Sequence, residues 1–136
     1  MLLVQQCVDE ALDVRPVIQT VVVAVEKRAA GAVDGQPRRA CLTPVAAIDG
    51  ASVTTVEGLS DGVELAPIQQ AFFDGYAAQC GFCSPGMMMA ATALLTETPH
   101  ASREQIMEAL QGHICRCTGY VKIIAAVESV AKAGAV

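Results

Sequence analysis

The sequence predicts a mainly α fold, a bundle of four helices that follows a short strand-bearing N-terminal part. Apolar residues recur at helical spacing in four segments after Val63, and each segment is bounded by cap or stop residues. The segments are joined by short loops, as in a compact bundle. Hydrophobic residues make up 53% of the 136-residue chain, yet aromatics are only 4% and Trp is absent. Ala, Val, Leu, Ile and Met must therefore fill the core, and such small, flexible side chains suit close-packed helices better than a sandwich.

The N-terminal signals are weak. Residues 17–25 (VIQTVVVAV) are β-branched and fit a strand, while their length fits a helix equally. Asp34-Gly35, inside AVDGQPRRACL, is a turn signal between short flanks and predicts a small hairpin. Residues 48–64 (IDGASVTTVEGLSDGVE) are rich in Gly, Ser and Asp and read as a surface linker with one strand-like piece, VTTVEG.

Pro67 opens the first helix at a position that needs no N–H donor, and Ile68, Ala71, Phe72 and Tyr76 carry its apolar face to about Gln79. The second helix starts after Cys83, with Ser84 as N-cap and Pro85 as first helical residue, and Pro99 stops it. Met87, Ala90, Ala91, Leu94 and Leu95 form its stripe. Ser102 with Gln105 three residues later is a capping-box pattern for the third helix, which ends at Gly112. The fourth follows Cys117, with Thr118 as N-cap, Ile123, Ile124, Val127 and Val130 along it, and Gly134 at its end. The domain reading is residues 1–47, a linker over 48–63, and a helical domain over 64–133.

The formal net charge is −5, and acidic residues are dispersed with no basic stripe, which argues against a nucleic-acid partner. The start, MLLVQQCVDE, lacks the positive region of a secretory signal. The apolar run Val17 to Val25 falls well short of the ~20 residues of a membrane span. The expectation is a cytoplasmic chain with no membrane insertion.

Six cysteines are present. Cys80 and Cys83 form one tight pair, Cys115 and Cys117 another, and Cys7 and Cys41 stand apart. Without a secretory signal, paired close spacings point to metal rather than disulfides. Both pairs run into helix starts, where unpartnered amides carry partial positive charge and can serve anionic thiolates. Gly81 lets the backbone approach closely. The spacing alone leaves two metals open, because structural zinc and a [2Fe–2S] cluster both accept four cysteines.

The segments QCGFCSPG at Gln79–Gly86 and GHICRCTGY at Gly112–Tyr120, with PIQQAF at Pro67–Phe72, resemble the C-terminal [2Fe–2S] domain of the xanthine dehydrogenase/carbon monoxide dehydrogenase small-subunit family, the molybdenum hydroxylases. The resemblance runs from about Gly35 to Val130. It implies a four-helix [2Fe–2S]-binding bundle preceded by a remnant of a ferredoxin-like domain. It implies one [2Fe–2S] cluster on Cys80, Cys83, Cys115 and Cys117, and a possible pterin contact for Gln79. The partners it implies are a molybdopterin-binding large subunit, together with an FAD-binding medium subunit. The role would be electron transfer within an oxidoreductase whose complete active site lies outside this chain.

Two departures stand out. His113 replaces the family's usual Asn. The family's N-terminal ferredoxin ligands have no counterpart except Cys41, which matches the fourth, so residues 1–47 read as a truncated or degenerate remnant without a second cluster. The competing readings are a structural Cys₄ zinc module and a non-functional fragment of the same small chain. Among the blander assignments, Met87, Met88 and Met89 are packing residues, His100 is solvated, Tyr120 packs, Cys41 is a buried thiol and Cys7 has no role. Arg38 and Arg39 read as a solvated pair, while Arg116, between two cysteines, either offsets the charge of the site or is solvated.

Overall fold

The structure, a computed structural model, describes residues 30–134. The strand-or-helix reading of residues 17–25 and the assignment of Cys7 lie outside the described residues.

Asp34 and Gly35 form the two-residue hairpin turn, both with positive φ (51° and 79°), the twist that two-residue hairpins favour. The turn joins β1 (Ala30–Val33) to β2 (Gln36–Arg39), with Val33 opposite Gln36. Pro37 is tolerated because β2 is an edge strand. A third strand, β3 (Val53–Thr54), pairs antiparallel with the other side of β1. The strand-like piece of residues 48–64 is therefore part of a sheet rather than of a free surface tether. The Asp34 carboxylate accepts the Ser52 amide at 2.9 Å, and the Asp34 amide donates to the Ser52 carbonyl at 2.8 Å, which fixes that register.

Four α-helices follow among the described residues: α1 (Pro67–Asp74), α2 (Ser84–Glu97), α3 (Arg103–Leu110) and α4 (Val121–Ala133). Phe72, Met87, Ala91, Leu95, Ile106, Leu110, Ile123 and Val127 meet in one core. Each larger side chain there contributes about 1.5–3 kcal/mol by leaving water. The methionine triplet divides as packing requires. Met87 enters the helical core, Met89 packs on Ala32 of the sheet, and Met88 is half-buried. The sheet is thus seated on α2. Gln69 adds a second tie, because its amide donates to the Val56 carbonyl at 2.8 Å while its Oε1 accepts the Ala66 amide at 2.9 Å.

The helix boundaries differ from expectation in three places. α1 ends at Asp74 rather than near Gln79. Tyr76 adopts φ 49°, and the Ala77 amide reaches back to Phe72 O at 3.0 Å while Tyr76 N–H bonds Phe73 O at 3.2 Å. This is a Schellman closure with a tyrosine in the left-handed position. Gly75 sits one residue earlier because a Cβ there would lie 2.9 Å from the Ala71 carbonyl oxygen. Ser84 is not the cap of α2, since Cys83 precedes the helix with near-helical angles (φ −85°, ψ −16°). Thr118 is not the cap of α4 either. Gly119 and Tyr120 both take positive φ (64° and 67°), and they delay the helix to Val121. Ser102 caps α3 as expected, and its amide receives the Gln105 side chain at 2.8 Å.

Two side chains expected to be bland also differ. His100 is exposed, yet its Nδ1–H donates to the Ala131 carbonyl at 2.9 Å near the end of α4, where carbonyls lack helical partners. Cys41 is exposed rather than buried, because the short turn of 3₁₀ helix after β2 (Ala40–Leu42) buries none of its residues.

Candidate metal centre

Two loops bring four thiols together. The first runs from the Schellman closure of α1 to the start of α2 and carries Cys80 and Cys83. It is anchored by Ala77, which is fully buried, and turned at Gly81, whose φ of 79° suits glycine. Among the described residues, and apart from its chain neighbours, no protein atom lies within 4 Å of where a Gly81 Cβ would stand, so conformation rather than close approach calls for glycine. The second loop joins α3 to α4 and carries Cys115 and Cys117.

The thiols pair across the loops, not within them. The Cys117 Sγ lies 3.6 Å from the Cys80 Sγ. Cys83 is likewise in thiol contact with Cys115. Two thiolates bound tetrahedrally to one metal at about 2.3 Å stand roughly 3.8 Å apart, so the Cys80–Cys117 spacing is one that a shared metal would need. Among the described residues, no three His, Cys, Asp or Glu side chains converge on a position for a single ion. Two pairs rather than one quartet is what a two-iron cluster uses, with two protein ligands per iron. Four thiols in two cross-loop pairs are a donor set that fits [2Fe–2S].

The sulfurs differ in environment. Burial pushes the Cys83 thiol up to about 11, and its hydrogen bond to Cys115 adds to the rise. Cys115 is drawn down to about 7, first by the Thr118 hydroxyl. Cys80 is lowered, chiefly by the Phe82 amide, whereas Cys117 is raised by donating to Cys80. The amides serving these sulfurs belong to the loops, at Cys80, Phe82, Cys83, Cys117 and Thr118, and not to the first turn of α4 as the sequence suggested.

Sequence reasoning missed the support beneath Cys115. Thr118 places its hydroxyl 3.0 Å and its amide 3.4 Å from the Cys115 Sγ. The Tyr120 hydroxyl accepts the Cys115 amide at 2.8 Å and donates to the His113 carbonyl at 3.0 Å. Tyr120 is thus more than packing. The available signal was a threonine and a tyrosine flanking a glycine just past Cys117. Ser84, beside Cys83, is buried, and its hydroxyl has no hydrogen-bond partner among the described residues.

Among the other sequence candidates, Gln79 is exposed next to Cys80, and Arg116 is exposed between its two cysteines. His113 does not join the thiols. Its ring packs on α2, where a Cβ on Gly86 would come within 2.8 Å of Cδ2, and burial followed by the Arg39 charge lowers its pKa. Large apolar side chains flank both cysteine pairs in the open, with Phe82 64% and Ile114 83% exposed.

The family described as [2Fe-2S] binding domain matches residues 55–128. The nicotine 6-hydroxylase small subunit of Paenarthrobacter nicotinovorans is 52% identical over 94 residues, covering 69% of this chain and 56% of that protein. A nicotinate dehydrogenase subunit of Pseudomonas putida is 45% identical over 100 residues, covering 74% of this chain and 64% of its own length. The crystal structure of quinoline 2-oxidoreductase from Pseudomonas putida 86 superposes with a TM-score of 0.73 at 44% identity, over 77% of this chain and 66% of that one. The chain therefore spans between half and two thirds of these relatives.

Proposed function

The chain belongs to the [2Fe–2S] binding domain family, and from that premise we propose that it is the iron–sulfur electron-transfer part of a molybdenum-hydroxylase-type oxidoreductase. The observation that supports this reading best is the cross-loop pairing of Cys80 with Cys117 and of Cys83 with Cys115. Those four thiolates are the proposed ligands. A [2Fe–2S] cluster held there supplies a one-electron relay. The chain's own part is to hold the thiolates in two pairs, to donate amide and hydroxyl hydrogen bonds to them, and to present them near the surface. Cys80 and Cys117 are exposed, which suits exchange with a partner's redox centre.

In this reading the helical unit over 64–133 is the cluster domain. The sheet before it, whose third strand lies within residues 48–63, packs on this unit through Met89 and Ala32. The exposed Phe82 and Ile114 beside the cysteines suit burial against a partner. That partner is a large subunit carrying molybdopterin, with an FAD-binding subunit that receives the electrons, and Gln79 faces the pterin. Among the described residues no helix is long and apolar enough to cross a membrane. The proposed location is the cytoplasm.

The test is co-expression with a molybdopterin-binding large subunit, followed by anaerobic addition of that subunit's N-heterocyclic or aldehyde substrate. Appearance of a reduced-cluster EPR signal from this chain supports the reading. A complex that turns over substrate with the chain absent, or a chain that stays EPR-silent in a turning-over complex, overturns it.

A further inference from the structure

The second ligand loop is closed by a ring of hydrogen bonds around Cys115. Tyr120 N–H donates to the Thr118 Oγ1 at 3.2 Å. That leaves the Thr118 hydroxyl proton free to point elsewhere, and the Cys115 Sγ lies 3.0 Å away. When Cys115 is a thiolate it has no proton to give, so the threonine is the donor. The Thr118 amide approaches the same sulfur at 3.4 Å. On the other side, the Tyr120 phenol bridges Cys115 N–H and His113 O. The left-handed backbone at Gly119 and Tyr120 turns the chain so that both side chains reach back.

We infer that Thr118 is a positioning and tuning residue, its hydroxyl oriented by the Tyr120 amide to donate a hydrogen bond to the Cys115 thiolate and so raise the reduction potential of the cluster. This inference rests on the iron–sulfur reading given above. Its physical basis is that reduction adds negative charge to the sulfurs, and a donor aimed at a ligand sulfur stabilises the more negative state. Cys115 therefore receives a side-chain hydroxyl as well as an amide, and the iron it ligates together with Cys83 is favoured for the added electron. Tyr120 acts one step further out. Its amide fixes the hydroxyl rotor of Thr118, and its phenol holds the Cys115 backbone in place.

The experiment is an EPR-monitored redox titration of the full chain with its cluster, in the parent, Thr118→Val, Thr118→Ala and Thr118→Ser forms, each first assayed for iron and visible absorption. Val and Ala remove the hydroxyl, while Ser keeps it. The expected result is a downward shift in midpoint potential for Val and Ala, with Ser at or near the parent value. Loss of iron in both Val and Ala, with iron retained in Ser, also supports the inference, because only the hydroxyl separates them. An unchanged potential in an iron-replete Val or Ala form overturns it. So does an equal shift or equal iron loss in all three, which marks a packing role. A parent chain without iron overturns the iron–sulfur reading itself, a result distinct from any pattern among the variants.

Discussion

The Sγ atoms of Cys80 and Cys117 lie 3.6 Å apart although 37 positions separate them in the chain. Neither residue contributes to the helical core, which is made by Phe72, Met87, Leu95, Ile106, Ile123 and Val127. These two thiols are thus separable from the scaffold, whereas Cys83 and Cys115 pack against it. Cys80→Ser is expected to lower the iron content well below the parent's while leaving the helical circular dichroism of the chain near its parent value. Colorimetric iron analysis and far-UV dichroism on one preparation check both halves. Loss of helicity together with iron would mean that the site organises the bundle.

Gly86 lies inside α2, where alanine ordinarily gains about 1 kcal/mol of helix stability over glycine. Here the new Cβ would come within 2.8 Å of the half-buried His113 ring. Overpacking of that kind costs about 1–3 kcal/mol, so the net sign is expected to be destabilising. Urea denaturation of Gly86→Ala, His113→Ala and the double variant tests this. The clash predicts that Gly86→Ala becomes neutral or stabilising once the imidazole is gone.

Ser102 closes the N-terminus of α3. Its Oγ accepts the Gln105 amide at 3.4 Å, and its own amide receives the Gln105 side chain at 2.8 Å. Ser102→Ala is expected to cost about 1 kcal/mol, seen as a lowered denaturation midpoint with the cluster spectrum unchanged. The ion pair between Arg103 and Glu128 at 2.7 Å is exposed on the arginine side and is worth about 1 kcal/mol or less. Arg103→Ala should therefore shift stability no more than Ser102→Ala does.

The Asp61 carboxylate accepts amides from Val63 and Glu64, each at 2.9 Å. These bonds, Glu64's first, hold its pKa below the usual 3.8. A folded pKa below the unfolded one means the turn is fully stabilised above the ordinary carboxylate range. That stabilisation is lost as pH falls through the folded value. The amide resonances of Val63 and Glu64 should titrate together with a midpoint under 3.8, and Asp61→Ala should abolish that step.

The local signals in the sequence survive where the chemistry is local. The Asp34-Gly35 turn, the Ser102 cap and most of the four apolar stripes are read from neighbours in the chain and appear in the structure, although Tyr76, expected on the first stripe, lies beyond α1 and is exposed. Boundaries slipped where a bulky residue takes the left-handed conformation. Nothing in a tyrosine announces φ 49° at Tyr76 or 67° at Tyr120, and these two turns end α1 and delay α4. Thr118 and Ser84 looked like caps because both precede helical stripes. One hydroxyl instead serves a sulfur, and the other is buried with no partner among the described residues. The membership of the thiol site was legible from two close-spaced cysteine pairs. The pairing was not, since each cysteine's near partner lies on the other loop and depends on how α1, α2, α3 and α4 pack.

If the four cysteines of the two loops hold one two-iron cluster, metal content and magnetic signal must agree on a single preparation. Anaerobic purification of the full chain, with iron and zinc analysis and EPR after dithionite reduction, measures both. The expected result is about two irons per chain, no stoichiometric zinc and one rhombic signal, as a single four-cysteine [2Fe–2S] site requires. About one zinc per chain with no iron and no signal would contradict the cluster and leave a structural metal module in its place.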